Sequence, residues 1–244
     1  MKKILLLILA LSLLPVKAQH TDFKPFPHYN KRLAEFENEK PIDSETIVML
    51  GDSMTEFGLD WNSRLGGTNI VNRGIMSDTA NGVLYRLDKI LAEHPKAIFL
   101  MIGINDLSHN LTAQEVAIMI NRLVKRIHDE APNTRLYVES CLPINEGFGR
   151  WKTLAGRSGD IPEINRLVSE YCSRLDVEFI NLYPRFLQHG TDQLRKELTR
   201  DGLHLSPAGY KIWGYELRPH VRKLMKVHHD CVESTSKCKI TKHV

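Results

Sequence analysis

The chain reads as an α/β protein built on a doubly wound parallel sheet, and three observations predict it. Five short apolar runs alternate with longer segments of helical periodicity between residues 46 and 225. Strands joined through helices of this length pair in parallel, and right-handed crossovers then cover both sheet faces. No internal repeat or low-complexity stretch interrupts the alternation.

The elements follow in order. Met1-Lys2-Lys3 and the apolar run Ile4–Leu11 have the charged start and hydrophobic stretch of a secretory signal. Pro15 breaks that run, and Val16-Lys17-Ala18 carries small residues suited to cleavage before Gln19. The run is too short to span a bilayer comfortably, and no cysteine follows the cleavage site to carry a lipid. Residues 1–18 are therefore read as a signal peptide, and the mature chain as periplasmic or secreted, without a stable membrane anchor. Residues 19–44 form a polar arm, helical around Tyr29–Phe36, that packs across the main domain. That domain, residues 45–226, has strands predicted at Thr46–Leu50, Asn69–Asn72, Ala97–Ile102, Arg135–Glu139 and Glu178–Asn181. Helices are predicted at Asn81–Glu93, Ala113–Asp129, Ile161–Arg174 and Pro207–Met225, the last opened by an N-cap serine and proline in Ser206-Pro207. A polar tail, residues 227–244, closes the chain.

Composition narrows the function classes. The formal net charge of +4 is modest and spread along the chain, which argues against nucleic acid as a partner. Cys141 ends a predicted strand and Cys172 lies in a predicted helix, so both read as small buried hydrophobes. Cys231 and Cys238 lie in the tail, where an oxidising compartment could pair them across a short loop. No Cys/His spacing suits a zinc site, and no metal is expected.

The chemistry gathers at strand ends. The first strand stops at Gly51-Asp52-Ser53, which seats Ser53 at the carboxyl edge where open α/β sheets hold their ligands. The N–H groups of the helix that follows face a developing anion there. A base is supplied far downstream by Asp201-Gly202-Leu203-His204: the Asp201 carboxylate orients the imidazole, whose other nitrogen takes the serine proton. Two further segments end strands, Asn72-Arg73-Gly74 and Gly103-Ile104-Asn105-Asp106. The Gly74 N–H, the Asn105 side-chain amide and the Ser53 N–H are expected to form a three-donor oxyanion hole. Asp52 and Asp106, each following a strand, read as bonding nearby backbone or capping a helix rather than as the acid of the constellation.

This ordered set of blocks resembles the SGNH, or GDSL-type, hydrolases, whose four defining residues would fall on Ser53, Gly74, Asn105 and His204. The resemblance runs from about Thr46 into the C-terminal helix. Met54 stands where the family has leucine, a hydrophobic position of little chemical consequence. The resemblance implies a flavodoxin-like three-layer α/β/α sandwich on a five-stranded parallel sheet. It also implies ester or thioester hydrolysis without a metal or other cofactor.

The stretch Leu142–Asp160 is the longest irregular one, and it leaves the same sheet edge as Ser53. Trp151, flanked by Arg150 and Lys152, is read as a wall of the substrate pocket facing an anionic or sugar-like acyl acceptor, or else as an anchor of the loop. The favoured function is an exported serine esterase that removes short acyl groups, acetyl above all, from a carbohydrate. The alternatives are lysophospholipid, platelet-activating-factor-like or thioester substrates, and a non-catalytic binding domain of the same shape.

Overall fold

The computed structural model describes residues 23–240, with side chains as far as Met225. The strands are β1 (Ile47–Gly51), β2 (Ile70–Gly74), β3 (Ala97–Met101), β4 (Arg135–Glu139) and β5 (Glu178–Ile180). All pair in parallel, in the order β2-β1-β3-β4-β5. The helices are α1 (Pro27–Asn38), α2 (Ser53–Glu56), α3 (Trp61–Leu65), α4 (Ala80–Ala92), α5 (Ile104–Ser108), α6 (Ala113–Glu130), α7 (Asp160–Arg174), α8 (Tyr183–Phe186) and α9 (Pro207–Ile240). This is the three-layer sandwich the sequence predicts.

Strand alternation sorts the core into two layers. From β1, Val48 and Leu50 face one layer with Val83 and Leu87 of α4, Val116 and Ile120 of α6 and Ile164 of α7. Ile47 and Met49 face the other, with Trp61 of α3, Phe186 of α8 and Trp213 and Leu217 of α9. Every β1 residue is buried, as expected of a central strand covered on both sides. The chain moves from β1 outward to β2, then returns to the far side of β1 as β3. That reversal opens a crevice at the carboxyl end of β1, where such sheets bind ligands. Ser53 begins the helix that starts there.

Beyond shifts of a residue or two at element ends, three parts of the chain differ from the sequence reading. Helix α9 runs on to Ile240 instead of giving way to a tail after Met225, because residues 226–240 contain neither glycine nor proline to stop it. The side chains of Cys231 and Cys238, and with them their possible disulfide, lie outside the described residues, as does the segment 1–22. The N-terminal arm is longer and better anchored than its pattern suggests. Tyr29 of α1 is fully buried, and its hydroxyl donates to the Gly82 carbonyl in α4 at 2.6 Å. The stretch after β4 is packed rather than projecting: Ile144 and Leu154 are buried, and Glu146 accepts hydrogen bonds from Ser158 and the Gly156 N–H.

Candidate active site

Gly51 ends β1 because nothing larger fits; a Cβ there would lie 2.2 Å from the Met101 carbonyl oxygen of β3. The chain then turns at Asp52, whose carboxylate caps α2 by accepting the Met54 N–H at 2.9 Å. Four residues make too short a helix to stand alone. Tertiary bonds hold α2 instead: Tyr210 Oη donates to the Met54 carbonyl at 2.8 Å, and Trp61 Nε1 to the Thr55 carbonyl at 3.0 Å. The Ser53 hydroxyl is thereby fixed in direction.

The segment 199–205 builds the opposite side largely from its own atoms. The Thr199 hydroxyl donates to the His204 carbonyl at 2.8 Å and accepts the Gly202 N–H at 2.9 Å. Gly202 turns at φ +90°, and a Cβ there would lie 2.5 Å from the Asn145 carbonyl oxygen. Asp201 Oδ1 accepts the N–H groups of Leu203 and His204 at 3.0 and 2.8 Å. Its Oδ2 meets His204 Nδ1 at 2.8 Å, and His204 Nε2 lies 3.0 Å from Ser53 Oγ. A carboxylate only accepts, so Nδ1 carries the proton and Nε2 is left to accept from the serine hydroxyl. Burial alone would raise the Asp201 carboxyl, but the His204 bond and the two N–H groups outweigh it and hold the group below the ordinary aspartate range. Ser53, His204 and Asp201 are thus brought together as the sequence predicts, 151 residues apart in the chain at the Ser53–His204 contact.

The expected oxyanion donors divide. Asn105 Nδ2 donates one hydrogen to the Asp78 carbonyl at 2.8 Å, which fixes the amide and leaves its second hydrogen unclaimed among the described residues. The Ser53 N–H, first in α2, has no acceptor among the described residues. Gly74 is a correction. Its N–H is taken by Asn72 Oδ1 at 2.9 Å, and the glycine is required for another reason: a Cβ would lie 2.1 Å from the Glu56 backbone nitrogen. Its absent side chain makes room for α2 rather than opening a donor to the site.

Farther along the same loop the N–H groups are claimed one by one. Ile75 donates to the Gly51 carbonyl, Met76 to Glu56 Oε2, Asp78 to the Ile75 carbonyl, Thr79 to Asp78 Oδ1 and Ala80 to Asp106. Ser77 alone among residues 74–80 keeps an unclaimed N–H among the described residues, and it holds φ +66°, unusual for a residue with a side chain. The sequence reading missed it because a serine gives no sign of left-handed backbone. The Asp106 carboxylate caps a helix, as expected of it: it receives the first N–H of α4.

Around the constellation lie groups of opposite character. Asp52 is pushed up to about 7 by burial, with Asp78 and Asp106 beside it adding to the rise. Burial raises Asp78 and Asp106 to about 6, although the Arg86 guanidinium opposes this at Asp78. Two rings pack on the His204 imidazole, Phe57 with centroids 5.1 Å apart and Trp151 at 5.2 Å, nearly edge-on. Trp151 is half-buried against the core with its Nε1 enclosed, so its ring anchors the loop beside the base. Arg150, also expected at the pocket, is exposed and stacks on the Trp151 ring at 5.5 Å. Cys141 and Cys172 are buried free thiols.

With this geometry in place, the comparison with known proteins is direct. Residues 49–212 match the GDSL-like lipase/acylhydrolase family. The chain belongs to that family. It is a carboxylic ester hydrolase of the GDSL type. The chain is similar to the bovine (Bos taurus) platelet-activating factor acetylhydrolase IB subunit alpha1, 25% identical over 206 residues, covering 80% of this chain and 82% of the relative. Its fold is similar to that of a GDSL-like lipase from Bacteroides thetaiotaomicron, with a TM-score of 0.67 at 20% identity, covering 80% and 97% of the two chains. An acetyl xylan esterase, AlAXEase, shares the fold at a TM-score of 0.59 and 20% identity, over 72% of this chain and 99% of the other.

Proposed function

We propose that this GDSL hydrolase is an exported serine esterase that removes acetyl groups from carbohydrate alcohols. The observation that carries the reading is the unbroken hydrogen-bonded line from Asp201 through His204 to Ser53. Ser53 Oγ attacks the ester carbonyl while His204 Nε2 takes its proton and Asp201 stabilises the imidazolium. The Ser53 and Ser77 N–H groups and the Asn105 amide receive the oxyanion. His204 then protonates the departing alcohol, and water releases the acyl-enzyme by the same steps in reverse roles.

The preference for acetyl rests on space. A cleft of about 10 Å³, room for a single water-sized group, is lined by Asp52 and Met54, the chain neighbours of Ser53, together with Ile104, Cys141, Leu142 and Leu203. An acetyl methyl suits such a cleft, and a long acyl chain does not. The carbohydrate alcohol is favoured by the Trp151 ring beside the base, a flat face of the kind on which sugars stack, and by the leader-like segment Met1–Ala18, which directs the enzyme outward. A second reading, an acetylated phospholipid alcohol, draws on the similarity to platelet-activating factor acetylhydrolase subunits and shares the acetyl preference.

Steady-state hydrolysis of aryl esters from acetyl to dodecanoyl tests the reading, with Ser53→Ala alongside. The expected result is activity confined to the shortest acyl groups and reduced by at least about 10⁴ in the variant. A preference for long chains overturns the acetyl assignment. Activity that survives Ser53→Ala overturns the mechanism. Mass measurement of the exported protein checks the leader, with a mature chain expected to begin at Gln19.

A further inference from the structure

The two rings that pack on His204 each carry an arginine. Arg150 stacks on Trp151, and Arg200 lies 5.0 Å over the centroid of Phe57. Both arginines are exposed, and neither has a carboxylate partner among the described residues. The carboxylates close by in the chain are already engaged: Asp201 holds His204, and Glu146 is tied to Ser158 and Gly156. Other exposed arginines are paired, Arg126 with Asp88 and Glu130, Arg166 with Glu163 and Glu170, Arg185 with Glu216, although Arg174 on the Tyr171 ring has no carboxylate partner among the described residues. What sets Arg150 and Arg200 apart is that the rings beneath them pack on the base.

Their place in the reaction gives the unpaired charge a use. In the reading above the acyl group occupies the small cleft lined by Met54, Cys141 and Leu203. The alcohol lies on the other side of the scissile bond, because His204 Nε2 must deliver its proton to the departing oxygen. Whatever the alcohol carries therefore passes the Phe57 and Trp151 rings and their guanidinium groups. A guanidinium stacked on a ring keeps its N–H fork directed outward, and that fork suits a carboxylate or phosphate.

We propose that Arg150 and Arg200 form an anion subsite for the alcohol portion, so that the preferred substrate is an acetyl ester whose alcohol bears a carboxylate or phosphate. This rests on the esterase reading above and deepens it. The chemistry shared by an acidic sugar and a phosphorylated alcohol is the negative charge near the ester oxygen. It adds selectivity through binding of the alcohol, with no new bond made or broken.

Two matched pairs of acetyl esters test the subsite: an acetylated methyl glucuronoside against the methyl glucoside, and acetylated glycerol phosphate against acetylated glycerol. At low ionic strength the wild-type enzyme is expected to favour the charged member of at least one pair by about 10-fold in kcat/KM, mainly through KM. Which pair shows it identifies uronate or phosphate as the source. Raising the salt shrinks the preference by screening. The Arg150→Gln/Arg200→Gln double variant brings the ratio to about one, and Arg200→Glu turns it below one, which a merely structural role would not do. Circular dichroism checks that each variant is folded. A wild-type ratio of one in both pairs, or a preference that survives the double variant, overturns the subsite while leaving the esterase intact. No hydrolysis of any member, nor of a neutral aryl acetate, overturns the esterase reading and this one with it.

Discussion

Two loops bond to the turn and helix that carry Ser53, and they are built on opposite principles. The segment 199–205 satisfies itself: Thr199 and Asp201 take the N–H groups of residues 201 to 204, and the base and its carboxylate sit three positions apart. The loop from β2 to α4 takes much of its support from elsewhere, from the Gly51 carbonyl, Glu56 and Asp106. A self-contained turn carries its geometry wherever the chain puts it. An imported one has the right shape only once the segments that follow β1 and β3 are in place. The contrast explains why His204 and Asp201 could be read from four consecutive residues while the donor in the other loop could not.

Breaking the self-contained loop should have the largest effect. Asp201→Asn is expected to cut kcat by about 10⁴, since an amide can stabilise the wrong imidazole tautomer. Stopped assays at saturating substrate will show it, and a loss under tenfold would mean that Asp201 does not orient the base. Next comes Asn105→Ala, expected to lower kcat by about 10² to 10³ with little change in KM, the pattern of a group that binds only the transition state.

The imported loop can be loosened from a distance. Glu56 accepts the Met76 N–H and also meets His28 of α1 at 3.0 Å, so it ties the N-terminal arm to the segment carrying Ser77. Glu56→Ala is expected to lower kcat by about 10-fold through misplacement of that one N–H. Glu56→Gln, which keeps an acceptor, should recover most of the loss; equal losses in both variants would argue against positioning.

The two regions also differ in their response to pH. Asp201 is held below its ordinary range, so its contribution to stability is present above the unfolded pKa and is lost as pH falls through the lower folded value. Asp52 is raised to about 7, so its effect has the opposite sign: the folded state binds its proton more tightly, and stability is lost as pH rises from about 4 through 7. Asp52→Asn should therefore flatten the decline in denaturant stability over that window, by an amount on the order of a few kcal/mol. An unchanged slope would show that the carboxyl titrates as an ordinary aspartate. The smallest expected effect is at Ser77, where glycine relieves the left-handed backbone and should raise stability by roughly 0.5–1 kcal/mol, read from the thermal midpoint. No gain would mean that the serine is not strained there.

What the amino-acid sequence determined by itself was whatever is local or periodic. Alternating apolar runs specify the five strands and their order of appearance, Gly51-Asp52-Ser53 specifies a turn after the first, and Asp201 to His204 form one turn of chain. These depend on backbone geometry and hydrogen bonds between near neighbours, which any reader of the chain can follow. Tertiary structure decided the rest. Gly74 reads as an open donor until α2 is seen lying against it, and Ser77 acquires its free N–H only because Gly51, Glu56 and Asp106 claim its neighbours. Arg150 was legible as a cation near the pocket; Arg200 was not, since its place beside the base depends on the Phe57 ring brought there by α2. The physical reason is the same in each case. A backbone donor or an exposed charge has no function of its own, and acquires one from what the fold leaves unpaired beside it.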